Sequence, residues 1–263
     1  MKDLKVEQKF HDSKVHLFVE DEGESFFKTP PKEAIKNDVW LKHFPEILGD
    51  FTGKSVLDCG CGTGVISAAL SQNGAKVTAF DLSNGMLRIA QKRALSWKLD
   101  IPLVESAFEN LPFKNNSFDF VIGAMILHHT ELEGAVNEIK RVLKKGGKIL
   151  FLETQLRNVF LRVLVESPIY KIRFLRHGSP CEKPLTLKSL KYIKSEFTGV
   201  RFHYFSFIFL QLIGSIIARP LRKTILERIV LSFFIAPDGF VGKYLPGLRK
   251  YSYWVMMEGE KRK

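Results

Sequence analysis

Short apolar runs and amphipathic stretches take turns along residues 54–154. "KSVLDC" (54–59), "KVTAFD" (76–81), "IPLVESA" (101–107), "SFDFVIGAM" (117–125) and "KILFLET" (148–154) lack the alternation of a half-exposed strand. They predict strands covered on both faces. Between them, "VISAALSQNG" (65–74), "SNGMLRIAQKRALSWKL" (83–99) and "ELEGAVNEIKRVLKK" (131–145) carry the spacing of amphipathic helices. Gly74 suits the end of the first, Ser83 or Asn84 the start of the second, and Gly146–Gly147 the end of the third. Such alternation with short links predicts a parallel sheet with helices on both faces. Upstream, "TPPKEAIKNDVWLKHFPEIL" (29–48) predicts one helix, with Ile35, Val39, Leu41 and Ile47 roughly on one face. Downstream, "PLTLKSLKYIKSEF" (184–197) predicts a helix, and "VRFHYFSF" (200–207) and "YSYWVMMEGEK" (251–261) predict strands.

Right-handed crossovers put the C-terminal ends of parallel strands on one edge, where ligands of such sheets bind. The Gly-rich turn after the first strand, Asp81, Ala107–Phe108 and Ala124–Met125 all fall at such ends. In "VLDCGCGTGV" (56–65) a dinucleotide fingerprint G-x-G-x-x-G fails, because Val65 or Ser67 stands where the third glycine belongs. The phosphate-cradling pattern also fails, since no Lys-Ser/Thr pair follows. Asp58 sits where a pyrophosphate would be repelled and a cation attracted.

These residues closely resemble the first motif of class I S-adenosylmethionine-dependent methyltransferases. "LPF", then "SFD" before an apolar strand, then "RVLKKGG" follow the order of the type-11 branch, over about residues 45–155. The resemblance implies a doubly wound, mostly parallel, seven-stranded Rossmann-like α/β sheet, with S-adenosylmethionine as cofactor. It implies cofactor contacts at Asp58, Gly60, Cys61, Gly62, Thr63 and Gly64, at Asp81, Leu82 and Met86, and at Ala107, Phe108, Ala124 and Met125. Asp81 would take the ribose hydroxyls, as one carboxylate can accept two donors. The family's usual aspartate for the adenine amino group is replaced here by Ser106–Ala107–Phe108. Backbone or Ser106 would make that contact, with Phe108 packed on the adenine.

Methyl transfer is an in-line displacement for which positioning supplies most of the catalysis. A base is required only when the nucleophile carries a proton. His128, His129 and Glu153, at the ends of the fourth and fifth strands, are the candidate catalytic residues. His11, His16, His43, His177 and His203 are scattered, with no metal-ligand spacing among them, so no metal is expected. Neither an Asn-Pro-Pro-Tyr motif nor a suitably placed Cys nucleophile is present, which argues against amino-group methylation of nucleic-acid bases and against Cys-dependent cytosine chemistry.

Of 263 residues, 45% are hydrophobic, enough for a sizeable core. Cys59, Cys61 and Cys181 form no disulfide framework and fit a reducing compartment. The charged N-terminus lacks the apolar stretch of a signal peptide. The formal charge of +12 is uneven: residues 1–154 hold 20 Lys and Arg against 21 Asp and Glu, and residues 155–263 hold 20 against 7. "FSFIFLQLIGSIIA" (205–218), "RPLRK" and "IVLSFFIA" (229–236) combine greasy runs with cations, the pattern of an interfacial membrane element. The expected organisation is an N-terminal helical lid (1–50), a cofactor-binding core (51–207), a hydrophobic basic helical insertion (208–250) and a last strand with a basic tail (251–263).

The expected function is O- or C-methylation of a hydrophobic small-molecule or lipid-like acceptor. The place expected for it is the cytoplasm, peripheral on the inner face of the membrane through 205–236. An RNA or protein methyltransferase docking through the basic region is the alternative, as is a non-catalytic S-adenosylmethionine-binding protein. Basic residues interleaved with long apolar runs favour a membrane over nucleic acid.

Overall fold

A computed structural model of the chain describes residues 4–16, 30–37, 41–157, 163, 179, 182–204 and 244–262. The helices are α1 (Leu4–Ser13), α2 (Pro31–Asn37), α3 (His43–Leu48), α4 (Val65–Gln72), α5 (Asn84–Ser96), α6 (Leu132–Val142) and α7 (Leu187–Glu196). The strands are β1 (Ser55–Cys59), β2 (Lys76–Asp81), β3 (Leu103–Glu105), β4 (Phe118–Ala124), β5 (Leu143–Thr154), β6 (Thr198–Tyr204) and β7 (Trp254–Glu260). They form one seven-stranded sheet in the order β3-β2-β1-β4-β5-β7-β6.

Strands β1 to β5 pair in parallel, and β7 runs antiparallel between β5 and β6. The chain first winds outward from β1 through β2 to β3, then returns to place β4 on the other side of β1. Strand order therefore reverses between β1 and β4, which opens a crevice above their C-terminal ends. Both faces of the sheet are covered, so neighbouring residues on one strand enter different cores. Val56, Ile122, Leu150 and Met256 pack with Phe44 of α3 and Leu70 of α4. Leu57, Val121, Ile149 and Met257 pack with Ile139 of α6 and Ile193 of α7. This two-sided burial is why the strands read as unbroken apolar runs.

Several elements differ from the expected ones. Residues 29–48 do not make one helix: Leu41 and Lys42 form a turn between α2 and α3. Pro45 has no N–H to continue a helical ladder, but it is tolerated in the first turn of α3. Helix α6 ends at Val142 rather than 145, because Leu143 is fully buried and pairs with Phe118. Lys261 Nζ holds the Leu143 carbonyl at 2.6 Å. Strand β5 thus starts five residues earlier than the 148–154 expected, with a register shift before Phe120. Helix α1 lies within the stretch expected to be a helical lid, although no individual helix was predicted in residues 1–29. The Glu20–Glu24 stretch, Cys181 and the apolar basic segment 205–236 lie outside the described residues. Of the expected insertion only 244–250 is described, with a 3-10 helix over Pro246–Tyr251. Among the described residues no helix is long and apolar enough to cross a membrane.

Phe44 is fully buried at the junction of α3 with the sheet. Phe44→Ala should destabilise the protein by about 3–5 kcal/mol in urea unfolding, the range for truncating a buried aromatic. A loss below about 1 kcal/mol would show that α3 does not seal this core.

Candidate functional site

A cavity of about 470 Å³ opens along the C-terminal edge of the sheet. This is within the range for small-ligand sites. Its wall crosses five strands in sheet order: Asp81 from β2, Asp58 from β1, Ala124 from β4, Leu152 from β5 and Trp254 from β7. The first two positions are acidic and the last three apolar, so the cavity is polarised along the sheet.

Three glycines shape the acidic end, each for a different reason. Gly60, Gly62 and Gly64 all have positive φ, at 64°, 52° and 73°. A Cβ on Gly60 would stand 2.6 Å from Ile126, and one on Gly64 would stand 2.8 Å from Ala90 of α5. Those two glycines let the chain pack against itself. A Cβ on Gly62 would meet nothing within 4 Å, so this glycine faces open space, where a ligand can approach the backbone. The turn is braced from outside: Cys61 N–H donates to the Phe80 carbonyl (2.9 Å), and buried Arg93 donates from Nε to the Thr63 carbonyl (3.0 Å). Nothing in the motif announced Arg93, because its place under the turn depends on how α5 packs.

Two carboxylates dominate the electrostatics here. Asp58 is buried, and Ser67 Oγ donates to it at 2.5 Å. Burial pushes its carboxyl up to about 6; the Ser67 hydrogen bond works against that shift and the nearby Asp81 charge adds to it. Asp81 accepts the Gly62 N–H at 2.8 Å on one oxygen and the Ser83 N–H at 2.8 Å on the other. Burial raises its pKa also, against backbone donors from Ser83, Gly62 and Leu82 and the His11 charge. No Lys or Arg is among the described residues of the cavity wall. The end formed by β1 and β2 is therefore anionic along its described wall, with the His11 charge acting on Asp81 from α1. The Cys59 and Cys61 thiols are pushed well above their ordinary pKa by burial and these carboxylates, so they stay protonated.

The cavity wall includes Asp58, Gly60, Cys61, Gly62, Thr63, Asp81, Leu82, Met86, Ala107, Phe108, Ala124 and Met125. Of the expected cofactor contacts, Gly64 alone is absent from that wall; it starts α4 behind the turn. Ser106 also lines the cavity, while Phe108 packs edge-to-face on Phe80 with ring centres 5.3 Å apart. Met125 has φ 61°, a left-handed conformation that costs a non-glycine residue. Its N–H donates to the Leu152 carbonyl at 2.8 Å, which ties the end of β4 to β5.

The three candidate catalytic residues separate. Only His129 is in the cavity wall. Glu153 is completely buried; it accepts the Ile126 and Leu127 N–H groups at 2.9 and 2.7 Å, and His128 Nδ1 lies 2.6 Å from its other oxygen. His128 is 1% exposed. Instead of facing a substrate, Glu153 and His128 form the support beneath the turn that carries His129.

Opposite His129 stands a residue that sequence reasoning missed. Glu7 and His11 lie one turn apart on α1, and both line the cavity. His129 Nδ1 is 2.5 Å and His11 Nε2 is 3.3 Å from Glu7 Oε1, and Ser179 Oγ donates to Glu7 Oε2 at 2.8 Å. Burial acts to raise the Glu7 pKa, but bonds from His11, His129 and Ser179 outweigh it and hold the carboxyl well below the usual range. Helix α1 is anchored by Asp12, which accepts from Ser83 Oγ at 2.5 Å and from the Gly85 N–H at 3.3 Å. The only hint in the sequence was the i, i+4 spacing of Glu7 and His11, which also suits a solvated face.

Residues 57–151, about a third of the chain, match the family model for a methyltransferase domain. A demethylmenaquinone methyltransferase of Staphylococcus epidermidis is 37% identical over 123 residues, covering 45% of this chain and 51% of that protein. The chain thus spans about half the length of the curated relatives it matches. A putative methyltransferase from Bacillus halodurans superposes with a TM-score of 0.56 at 22% identity, over 86% of this chain and 100% of that one. Phosphoethanolamine N-methyltransferase 2 of Haemonchus contortus, solved with S-adenosylmethionine, superposes with a TM-score of 0.57 at 19% identity, over 94% of this chain and 59% of that one. At those identities the two structures show the fold alone.

Asp58 gives a test of the anionic site. With no cation bound, the folded protein keeps a proton on Asp58 up to about 6, whereas the unfolded chain releases it near 3.8. Its contribution to stability is therefore present below 3.8 and lost as pH rises through 6, unless a cation compensates the carboxylate. S-adenosylmethionine should then raise the melting temperature more at pH 7.5 than at pH 5, and Asp58→Asn should flatten the difference. Equal ligand-induced shifts at both pH values would remove the Asp58 charge from cation binding.

Proposed function

Starting from the class I S-adenosylmethionine-dependent methyltransferase domain of the type-11 branch that this chain carries, we propose that the protein transfers a methyl group from S-adenosylmethionine to a hydrophobic, quinone-like acceptor. The observation that carries the acceptor class is the polarity of the cavity: its anionic end on β1 and β2 continues into a wall of Leu41, Ile126, Leu152 and Trp254. The name of the Staphylococcus relative points to the same chemistry.

In this reading the cationic donor lies across the Gly60–Gly62 turn. Asp58 supplies negative charge near the sulfonium and amino groups, and Asp81 accepts the ribose hydroxyls on the lone pairs that its two backbone donors leave open. The aromatic and aliphatic wall from β4 to β7 holds the acceptor ring and excludes water from the line of attack. His129, on the wall facing α1, holds a polar group of the acceptor. His128 and Glu153 act through His129 by fixing its turn, and so serve as positioning residues. The displacement breaks the sulfur–methyl bond and forms a bond from the methyl carbon to oxygen or ring carbon of the acceptor, leaving S-adenosylhomocysteine, and the acceptor's displaced proton is released to solvent. An acceptor of this kind resides in the membrane, and the greasy basic stretch 205–236 is where the chain would meet its inner face.

The direct test incubates the protein with S-adenosylmethionine and a short-chain demethylated quinol. The expected products are S-adenosylhomocysteine and the methylated quinol, resolved by mass spectrometry. Asp81→Ala should weaken cofactor binding by about 1–3 kcal/mol, the scale of lost charge-assisted hydrogen bonds. His129→Ala should lower kcat/KM at least tenfold and leave cofactor affinity within a few-fold. Methyl label that appears only in RNA or protein fractions of a cell extract would overturn the quinone-like acceptor.

A further inference from the structure

We propose that Glu7, His11 and His129 form a binding site for a transition-metal dication, of which Zn2+ is the simplest example, on the acceptor side of the cavity. This rests on the quinone-like reading above and sharpens it, because such an ion would select an acceptor with a ligating oxygen.

The donor set is built by tertiary structure. One carboxylate oxygen and one nitrogen from each imidazole lie within 4.8 Å of one another. Both imidazoles point at the same oxygen, Glu7 Oε1, but with unequal contacts: 2.5 Å from His129 and 3.3 Å from His11. Both contacts are hydrogen bonds to Glu7, and an ion centred among the three atoms would replace them. Two imidazoles and one carboxylate suit zinc, iron or manganese far better than the all-oxygen preference of magnesium or calcium.

Neighbouring groups hold the three side chains in place, and Ser179 Oγ also lies 3.3 Å from His129 Nδ1. Ser179 Oγ fixes the second Glu7 oxygen at 2.8 Å. The His129 ring packs on His128 with centres 4.1 Å apart, and His128 is held by Glu153. The His11 ring is flanked edge-on by Phe10 and by His129, at 5.4 and 5.3 Å. A tetrahedral zinc would hold the Glu7 and His129 atoms about 3.3 Å apart, so binding opens their 2.5 Å contact while the ring packing stays in place.

Charge supplies an independent argument. The cavity wall carries Glu7, Asp58, Asp81 and Glu109, with no Lys or Arg among its described residues. The methyl donor bears a net charge of about +1 and is drawn to the Asp58–Asp81 end. A dication at Glu7 would offset two of the three negative charges that remain. Three protein ligands leave coordination positions open, and all three residues line the cavity, so an acceptor hydroxyl can reach the ion.

The test uses the full chain, stripped with a chelator and dialysed. Titration with Co2+ should give one equivalent bound per chain, with visible absorption of nitrogen- and oxygen-ligated cobalt, and Zn2+ should displace it. Glu7→Gln, His11→Gln and His129→Gln should each weaken binding at least tenfold, while His43→Gln and His203→Gln should not. Circular dichroism checks that each variant is folded. Absence of binding by the folded wild type below millimolar metal would overturn the site, as would affinity that survives all three ligand substitutions. Quinol methylation, measured on the stripped and Zn2+-loaded samples, separates the two readings. Methylation by a protein that binds no metal overturns the ion and leaves the methyltransferase reading intact. Stoichiometric metal binding without transfer to the quinol supports the ion and counts against the acceptor.

Discussion

Two carboxylates buried at the edge of a parallel sheet govern this molecule. Asp58 and Asp81 end adjacent strands, so their separation and direction follow from the β1–β2 register, in which Asp58 lies opposite Ala79 and Cys59 opposite Phe80. Neither is neutralised by a Lys or Arg of the described cavity wall. Burying negative charge in this way is unfavourable unless a cation arrives. A cationic ligand at this edge would offset that cost, so its binding would stabilise the fold. The Gly62 backbone, open in front and tied to Asp81 through its N–H, brings main chain to the same place.

The rest of the architecture orients the chemistry around that charge. Strand order reverses between β1 and β4, which opens the crevice, and β5 and β7 extend it with apolar side chains. Glu153, at the end of β5, is spent on structure: it accepts two N–H groups from the turn after β4 and holds His128. That turn presents His129 to the cavity. Helix α1 closes the opposite side through Asp12 on Ser83 and Glu7 on His129. The N-terminal helix is consequently part of the site as well as a cover for it.

Particular residues show why some roles were legible in sequence and others were not. The alternation of apolar runs and amphipathic helices between 54 and 154 was legible because a parallel sheet buried on both faces demands continuous apolar strands. The three glycines were legible as a turn, but their separate duties depend on partners distant in sequence: Ile126 for Gly60, Ala90 for Gly64 and empty space for Gly62. "LHH" marked two histidines, and nothing local says that His128 is buried on Glu153 while its neighbour faces the cavity. Glu7 and His11 gave only a helical spacing.

By itself the sequence determined the sheet's parallel core, the glycine turn, and the acidic strand ends that favour a cation over a pyrophosphate. These are properties of neighbouring residues: the period of apolar positions, the freedom of glycine and the sign of a charge. Tertiary structure alone decided the early start of β5, the burial of Glu153 and His128, the service of Arg93 beneath the turn, and the meeting of Glu7 and His11 with His129. Each of those depends on contacts between segments far apart in the chain, and their geometry is set by how the helices pack on the finished sheet.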